Sequence, residues 1–206
     1  AASIPPAIRP HVNFLEDGIV KLEVKTVLSP DKDKLETLVA LLQQLGSQPG
    51  IVFCSFKETI KRVSDFLNEK GIAHGCFHGG MEQVERERTL IKFRNGTHQL
   101  LIATDLAARG IDVPDIKFIV HYHVPIKNKE FIHRNGRTAR MKKDGVAYVL
   151  KWVEDELPDF ITELNPENLK PEAIQKFDSP KNKEWKTLYI SGGRKDKISK
   201  GDIAGL

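Results

Sequence analysis

Cysteine is scarce in this chain, with only Cys54 and Cys76 among its 206 residues. The two are far apart, form no CxxC motif and lie in apolar, strand-like runs, which predicts reduced core thiols and argues against a disulfide or a metal site. No apolar run approaches the roughly 20 residues of a membrane-spanning helix, and no signal-peptide pattern opens the chain. We therefore expect a cytoplasmic protein without a membrane partner.

A strong excess of one sign of charge is also absent. The 32 basic and 28 acidic residues give a formal net charge of +4 and a pI near 9.0, with 40% hydrophobic and 29% charged residues. These proportions are typical of a soluble globular protein, and the length allows one full domain plus a fragment. A positive balance of this size permits a polyanionic partner without establishing one.

A phosphate-binding P-loop is missing as well. The pattern GxxxxGK[ST] occurs nowhere in the chain, and GGRKDK at 192–197 has neither the spacing nor the context of such a loop. Phosphate chemistry at this chain would therefore need a P-loop from elsewhere to hold the phosphates.

The sequence does contain a regular alternation of apolar runs and amphipathic helical segments. Ser29 and Asp31 beside Pro30 mark the start of the first helix, and Gly46 marks its end. Such alternation predicts an α/β fold, a mostly parallel sheet with helices on both faces. The predicted strands cover 20–28, 50–56, 73–78, 99–104, 117–125 and 145–150, and the predicted helices cover 34–46, 57–71, 81–96 and 128–134.

Composition divides the chain into four parts. Residues 1–19 are proline-rich without periodicity and predict an N-terminal arm or interdomain linker, followed by a main domain over 20–165 that ends in one acidic helical segment. Residues 166–186 read as a second linker. Residues 187–206 begin a new unit with a short strand, a glycine turn and a basic segment, which is too short to fold alone.

Three unusual loops follow predicted strands, at the carboxyl ends where parallel sheets bind ligands. In FHGGMEQVER (77–86), Gly79 and Gly80 precede a helix whose first turns carry Gln83 and Arg86. Glycines let a ligand approach the backbone, and free amides at the helix start with an arginine nearby would form a phosphate seat. A helix cap with a surface arginine explains the pattern equally well. A second of the three loops is SFKET (55–59).

The loop ATDLAARGID (103–112) combines a hydroxyl, an arginine, a glycine and two carboxylates with small residues. Thr104 and Gly110 suit phosphate contact, and a carboxylate suits a ribose hydroxyl. The alternative is an irregular loop with local side-chain capping. The small residues before Arg109 favour a functional loop over that alternative.

The stretch HRNGRTAR (133–140) places one histidine and three arginines in eight positions without an acid. Complementing a helix dipole would need fewer cations than this. Arginines delivered to a transferring phosphoryl group are therefore the favoured interpretation.

Two histidines, His121 and His123, would share one face of a strand. They could be two metal ligands, but no third ligand is evident in the sequence. Ordinary histidines at a strand end are the favoured interpretation, so no metal site is predicted.

Taken in order, IVFCSF, HGGMEQVER, ATDLAARGID and HRNGRTAR resemble four motifs of the second RecA-like lobe of DEAD-box ATP-dependent RNA helicases, over about residues 20 to 150. GRTAR and TLYISGGRKDKISKGD are similar to the DbpA-like branch. Members of that branch carry a following RRM-like domain that recognises ribosomal RNA. Residues 187–206 would then be the truncated start of that domain.

The resemblance implies a role for each motif. Arg137 and Arg140 would be arginine fingers on the ATP γ-phosphate, His133 would help couple the two lobes, and Asp112 would meet the ribose beside Gly110. These are the predicted catalytic and ATP-binding residues. The implied track for RNA phosphates comprises Ser55, Gly79, Gly80, Gln83, Arg86, Thr104, Asp105, Arg109 and Gly110.

The resemblance also implies partners and cofactors. The first lobe would supply the P-loop, the DEAD sequence and Mg²⁺, so this chain alone would not hydrolyse ATP. The two lobes would act on single-stranded or locally unwound RNA, including ribosomal RNA during ribosome biogenesis. The alternatives are a non-catalytic RNA-binding or scaffold module and a DNA-translocating lobe. Two residues depart from the family pattern: Ala139 replaces a glycine, and Phe56 replaces a threonine.

Overall fold

A computed structural model describes residues 22–108, 113, 116–138, 145–169, 186–190, 192 and 194–204. The strands are β1 Leu22–Ser29, β2 Gly50–Phe53, β3 Gly75–Phe77, β4 Leu100–Ala103, β5 Phe118–His121, β6 Gly145–Trp152 and β7 Glu167–Leu169. The α-helices are α1 Leu35–Leu45, α2 Lys57–Glu69, α3 Gln83–Arg94, α4 Asp105–Ala108, α5 Asn128–Asn135, α6 Asp159–Thr162 and α7 Lys200–Ala204, and Arg194–Asp196 form a 3-10 turn.

The seven strands form one sheet in the order β3-β4-β2-β5-β6-β1-β7, and every pair is parallel. Successive strand residues supply two cores. Val52 packs with α1 and α2 on one face, whereas Ile51 and Phe53 pack with Phe93 of α3 and Ala107 of α4 on the other. Strands covered on both faces have continuous apolar sequences, which explains why the runs were recognisable. The predicted parallel α/β fold is confirmed.

Helix α1 begins within one residue of its predicted start, but its cap is not the predicted signal. Lys34 is the N-cap, and the Ser29 hydroxyl donates to the Asp31 carbonyl oxygen without capping the helix. Lys34 is buried, and its Nζ is satisfied there because it donates to the Tyr122 and Leu150 carbonyl oxygens, at 2.6 and 3.0 Å. Burial lowers the pKa of Lys34. The predicted stop at Gly46 is correct, with φ +66°.

Two short elements also depart from the predictions. Helix α4 forms in the stretch whose alternative was an irregular loop. Strand β7 pairs with β1, so the sheet extends past the predicted domain end at residue 165. Both elements are shorter than the windows that reveal a period in sequence.

A strand is predicted after residue 187, but residues 186–190, which the structure describes, form no strand. Thr187 instead contacts Thr97, and Tyr189 lies under the Arg88 guanidinium. A strand without a neighbouring strand has no ladder of hydrogen bonds to stabilise it. The arm over 1–19 and residues 170–185 of the second linker lie outside the described residues.

Both cysteines are free thiols, as predicted. Burial raises the pKa of Cys54 to about 12 and raises the pKa of Cys76. Within the described part of the chain, no helix has both the length and the apolar character needed to cross a membrane.

Gly50→Ala is expected to destabilise the protein by about 1–3 kcal/mol, because a Cβ at Gly50 would overlap the Phe118 ring on the neighbouring strand. Urea unfolding measures the change. A Cβ at Gly79 meets nothing within 4 Å, so Gly79→Ala is the matched control and should unfold like the original protein. Equal losses in the two variants would contradict the packing argument.

Candidate functional site

The sheet order brings the predicted loops together. Strands β3, β4, β2 and β5 are consecutive neighbours, and their carboxyl ends lead into the loops that carry Gly79, Thr104, Ser55 and His123. A backbone hydrogen bond joins the starts of two of these loops, since the Thr104 amide donates to the Phe77 carbonyl oxygen at 3.2 Å. The predicted clustering of these loops at one edge is confirmed.

The start of α3 is capped by two of its own side chains. Glu82 is the N-cap, and its carboxylate accepts from the Glu85 amide while the Glu85 carboxylate accepts from the Glu82 amide. This capping box occupies an amide at the helix start and adds two negative charges. These contacts support the capped-helix interpretation of the terminus, and the phosphate contact at Gly79, Gly80 and Arg86 stays a prediction.

The remaining predicted residues of that loop are exposed or partly exposed. Gly79 and Gly80 lie open to solvent, and Gln83 Nε2 donates to Glu87 Oε1 at 2.8 Å. Arg86 is partly buried, with its guanidinium over the Phe77 ring at 5.0 Å. Stacking on the ring fixes the guanidinium at the end of β3, near the loop where a phosphate contact is predicted.

Arg134 has an acidic partner that the sequence did not reveal. Its Nε and Nη2 donate to the two Asp105 carboxylate oxygens at 2.6 and 2.7 Å, and its Nη1 donates to the His123 carbonyl oxygen at 2.7 Å. The Arg134 side chain is only 2% exposed. Of the three arginines in HRNGRTAR, this one is therefore structural, and it joins α5 to α4.

A buried histidine completes this framework. His121 Nε2 lies 2.9 Å from Asn135 Oδ1, and its Nδ1 lies 3.4 Å from Arg134 Nη1. A neutral ring with its proton on Nε2 satisfies both contacts, because Arg134 can only donate. Burial and then the Arg134 charge lower the pKa of His121 to about 3. His121 ties the end of β5 to the two α5 residues beside it.

Acid should weaken the fold through His121. The unfolded residue protonates near pH 6.5 and the folded one near pH 3, so the contribution to stability is lost as pH falls through that interval. In His121→Gln, the free energy of unfolding should fall less steeply between pH 6.5 and 4.5, by about 1.4 kcal/mol per pH unit. Urea unfolding at several pH values measures both slopes, and identical slopes would contradict the assignment.

The two histidines singled out in the sequence have different partners. The His123 Nδ1 accepts from the Ser55 amide at 3.1 Å, whereas His121 bonds to α5. A metal ligand needs one ring nitrogen with an available lone pair, and both nitrogens of His121 contact side chains of α5, so the interpretation as strand-end histidines fits these contacts. The described residues contain no group of three histidine, cysteine or acidic side chains able to hold a metal ion.

Arg137 and His133 lie on the outward side of this framework. Both line a pocket whose other walls include Phe53, Ala108 and Glu130, and His133 is exposed. The turn after α5 is anchored because the Thr138 hydroxyl donates to the Ile116 carbonyl oxygen at 2.8 Å. Arg109, Gly110, Asp112 and Arg140 lie outside the described residues, so their assignments stay predictions.

The parallel sheet, the loops at its carboxyl edge and the arginines anchored there define a RecA-like lobe. Residues 33–142 match the family model for the helicase conserved C-terminal domain. The chain is 32% identical to the ATP-dependent RNA helicase DbpA of Escherichia coli, over 92% of this chain and 42% of that protein. It is 35% identical to the ATP-dependent RNA helicase DBP3 of Gibberella zeae, over 84% of this chain and 32% of that protein.

Among solved structures, S. cerevisiae Dbp5 bound to RNA and ADP BeF3 is similar with a TM-score of 0.64 and 26% identity, over 73% of this chain and 42% of that one. This chain therefore belongs to the helicase conserved C-terminal domain family, as a second lobe of the DEAD-box type. It spans less than half the length of the two curated relatives named above.

Proposed function

We propose that this chain is the half of an ATP-dependent RNA helicase that supplies arginines to ATP and phosphate contacts to RNA. One observation carries the proposal. The buried Arg134–Asp105 pair fixes α5, and Arg137, just after that helix, lines a pocket at the carboxyl edge of the sheet. The loops with Ser55 and Thr104 lie at the same edge. One rigid edge would then touch both ligands.

The nucleotide side of the proposal falls on α5 and the residues around it. Arg137 and Arg140 are the proposed fingers, and His133 is proposed to couple this lobe to the other. ATP would supply the γ-phosphoryl group whose charge grows during transfer. A guanidinium fits that charge because it is planar, permanently cationic and able to donate two parallel hydrogen bonds. Gly110 and Asp112 are proposed to hold the ribose side.

The RNA side follows the ends of β2, β3 and β4. Ser55, Gly79, Gly80, Gln83, Arg86, Thr104, Arg109 and Gly110 are proposed to track the phosphates and sugars, which carry no base identity. Asp105, also predicted on this track, would repel a phosphate, and both its oxygens accept from Arg134. We therefore assign Asp105 to positioning Arg134. The similar Dbp5 structure contains RNA and a nucleotide complex, which supports both halves of the proposal.

A first lobe is required by this proposal, since the chain contains no P-loop sequence. That lobe would hold Mg²⁺ and the ATP phosphates, and closure of the two lobes on RNA would separate a short duplex locally. A DbpA-like role in ribosomal RNA remodelling and ribosome biogenesis, with an RRM-like domain beginning near residue 187, is proposed on the resemblance of the last residues. The similarity to DBP3, at 35% identity, does not single out that branch.

Strand separation by the chain joined at Ala1 to a DEAD-box first lobe tests the proposal. A short RNA duplex with a single-stranded extension should separate only when ATP is present, and the equivalent DNA duplex should remain paired. RNA binding without ATP-dependent separation would favour a non-catalytic RNA-binding module. Equal separation of DNA would favour a DNA-translocating lobe.

A further inference from the structure

Phe56 occupies a position where neither helix stability nor solubility gains from an aromatic ring. It is the N-cap residue of α2, with φ −128° and ψ 146°, and it makes no side-chain capping bond. Serine, threonine, aspartate or asparagine would stabilise that helix end. The residue is also 63% exposed to solvent. Its position at the site therefore indicates a ligand that packs against a flat apolar ring.

The Phe56 ring is nevertheless held in a defined orientation. It meets the His123 ring edge-on, with centroids 5.9 Å apart and an angle of 67° between the planes. His123 is fixed in turn, because its Nδ1 accepts from the Ser55 amide and its carbonyl oxygen accepts from buried Arg134. The exposed ring is therefore attached to the framework that anchors α5.

The surroundings of the ring distinguish a base from a phosphate. A pocket of about 630 Å³ opens beside Phe56, with Ile126 among its walls at 88% exposure. Further walls carry the Glu130, Asp155 and Glu156 carboxylates. The two cations of the lining are already engaged, because Lys34 donates to two carbonyl oxygens and Arg134 donates to Asp105. These negative charges repel a phosphate, whereas an aromatic and aliphatic mouth accepts a flat, uncharged heterocycle. A nucleotide whose phosphate lay at Ser55 would thus direct its base toward Phe56.

We propose that Phe56 is a stacking platform for one unpaired RNA base and that His123 holds this platform in position. The inference rests on the proposed function, because a base reaches Phe56 only if RNA follows the edge that carries Ser55. Every base presents a π-face, so stacking adds affinity for unpaired strands without selecting a sequence. The platform would favour a strand already separated over the same strand in a duplex.

Binding of a single-stranded RNA to the full chain, joined at Ala1 to a DEAD-box first lobe, tests the platform. Phe56→Ala and Phe56→Leu should each weaken binding about tenfold, because leucine keeps the apolar character and loses the π-face. Phe56→Trp should bind like the original protein. A single abasic nucleotide, moved along the RNA, should cause a similar loss at one position and no further loss there in Phe56→Ala.

Two further variants separate stacking from a structural role. Phe56→Ser should raise the free energy of unfolding, since serine caps α2, and should lower RNA affinity at the same time. His123→Ala should weaken RNA binding in the original protein and leave it unchanged in a Phe56→Ala background. Equal losses from His123→Ala in both backgrounds would overturn its positioning role.

Arg86→Ala distinguishes failure of the platform from failure of the proposed function. If Arg86→Ala weakens RNA binding while Phe56→Leu binds like the original protein, the platform is overturned and the RNA track stands. If the unmodified joined protein binds no RNA, both are overturned. An abasic loss that persists in full in Phe56→Ala would also overturn the platform.

Discussion

Alanine at Arg137 or Arg140 is expected to lower RNA-stimulated ATP hydrolysis by about 10³-fold or more in the chain joined to a DEAD-box first lobe, because arginine fingers contribute on the order of 10³–10⁵ in rate. Each guanidinium would stabilise charge that appears on the γ-phosphoryl group only during transfer. RNA affinity should be weakened at most slightly. Steady-state hydrolysis and RNA binding, measured on the same samples, check both expectations.

Lys129→Ala is the matched control, since it removes an exposed cation from α5, the helix that precedes Arg137 in the chain. Hydrolysis should be unchanged in that variant. Loss of RNA affinity with normal turnover in Arg137→Ala or Arg140→Ala would contradict the finger assignment. It would place these arginines on the RNA track instead.

Asp105→Ala should lower the free energy of unfolding by about 3 kcal/mol, because it leaves the buried Arg134 guanidinium without its carboxylate. The Asp105 side chain is 31% exposed, so water replaces part of the lost interaction and keeps the cost at the lower end of the range for buried pairs. Urea unfolding measures the loss.

The double variant Asp105→Leu with Arg134→Met supplies the control. It removes both charges and fills the space with apolar side chains, so part of the lost stability should return, less the contribution of the bonds from Arg134 to the His123 carbonyl and to His121. A double variant as unstable as Asp105→Ala would mean that the loss comes from packing around α4 and not from an unpaired charge. The ion pair would then have no part in fixing α5.

The main architecture was predictable because each interior strand is covered on both faces. Ile51, Val52 and Phe53 are all buried, so the strand appears in the sequence as an unbroken apolar run. Strand β7 could not be predicted, because only three residues pair and none is fully buried. Its pairing depends on β1 lying next to it, which is a tertiary circumstance.

The site was predictable in its location and less so in its internal roles. HRNGRTAR contains no acid, yet Arg134 pairs with Asp105, which lies 29 positions earlier in sequence. That pairing exists because β4 and β5 both flank β2, which places α4 and α5 together. The capping box at Glu82 was visible as a glutamate three residues before Glu85, but the two reciprocal bonds that form it are a matter of geometry.

RNA-stimulated ATP hydrolysis, measured first with this chain alone and then with the chain joined at Ala1 to a DEAD-box first lobe, tests the central claim most directly. The account predicts no turnover by the chain alone, turnover on joining, and loss of that turnover in Arg140→Ala. Turnover by the chain alone would contradict the account, because it would require a phosphate-holding element within this sequence.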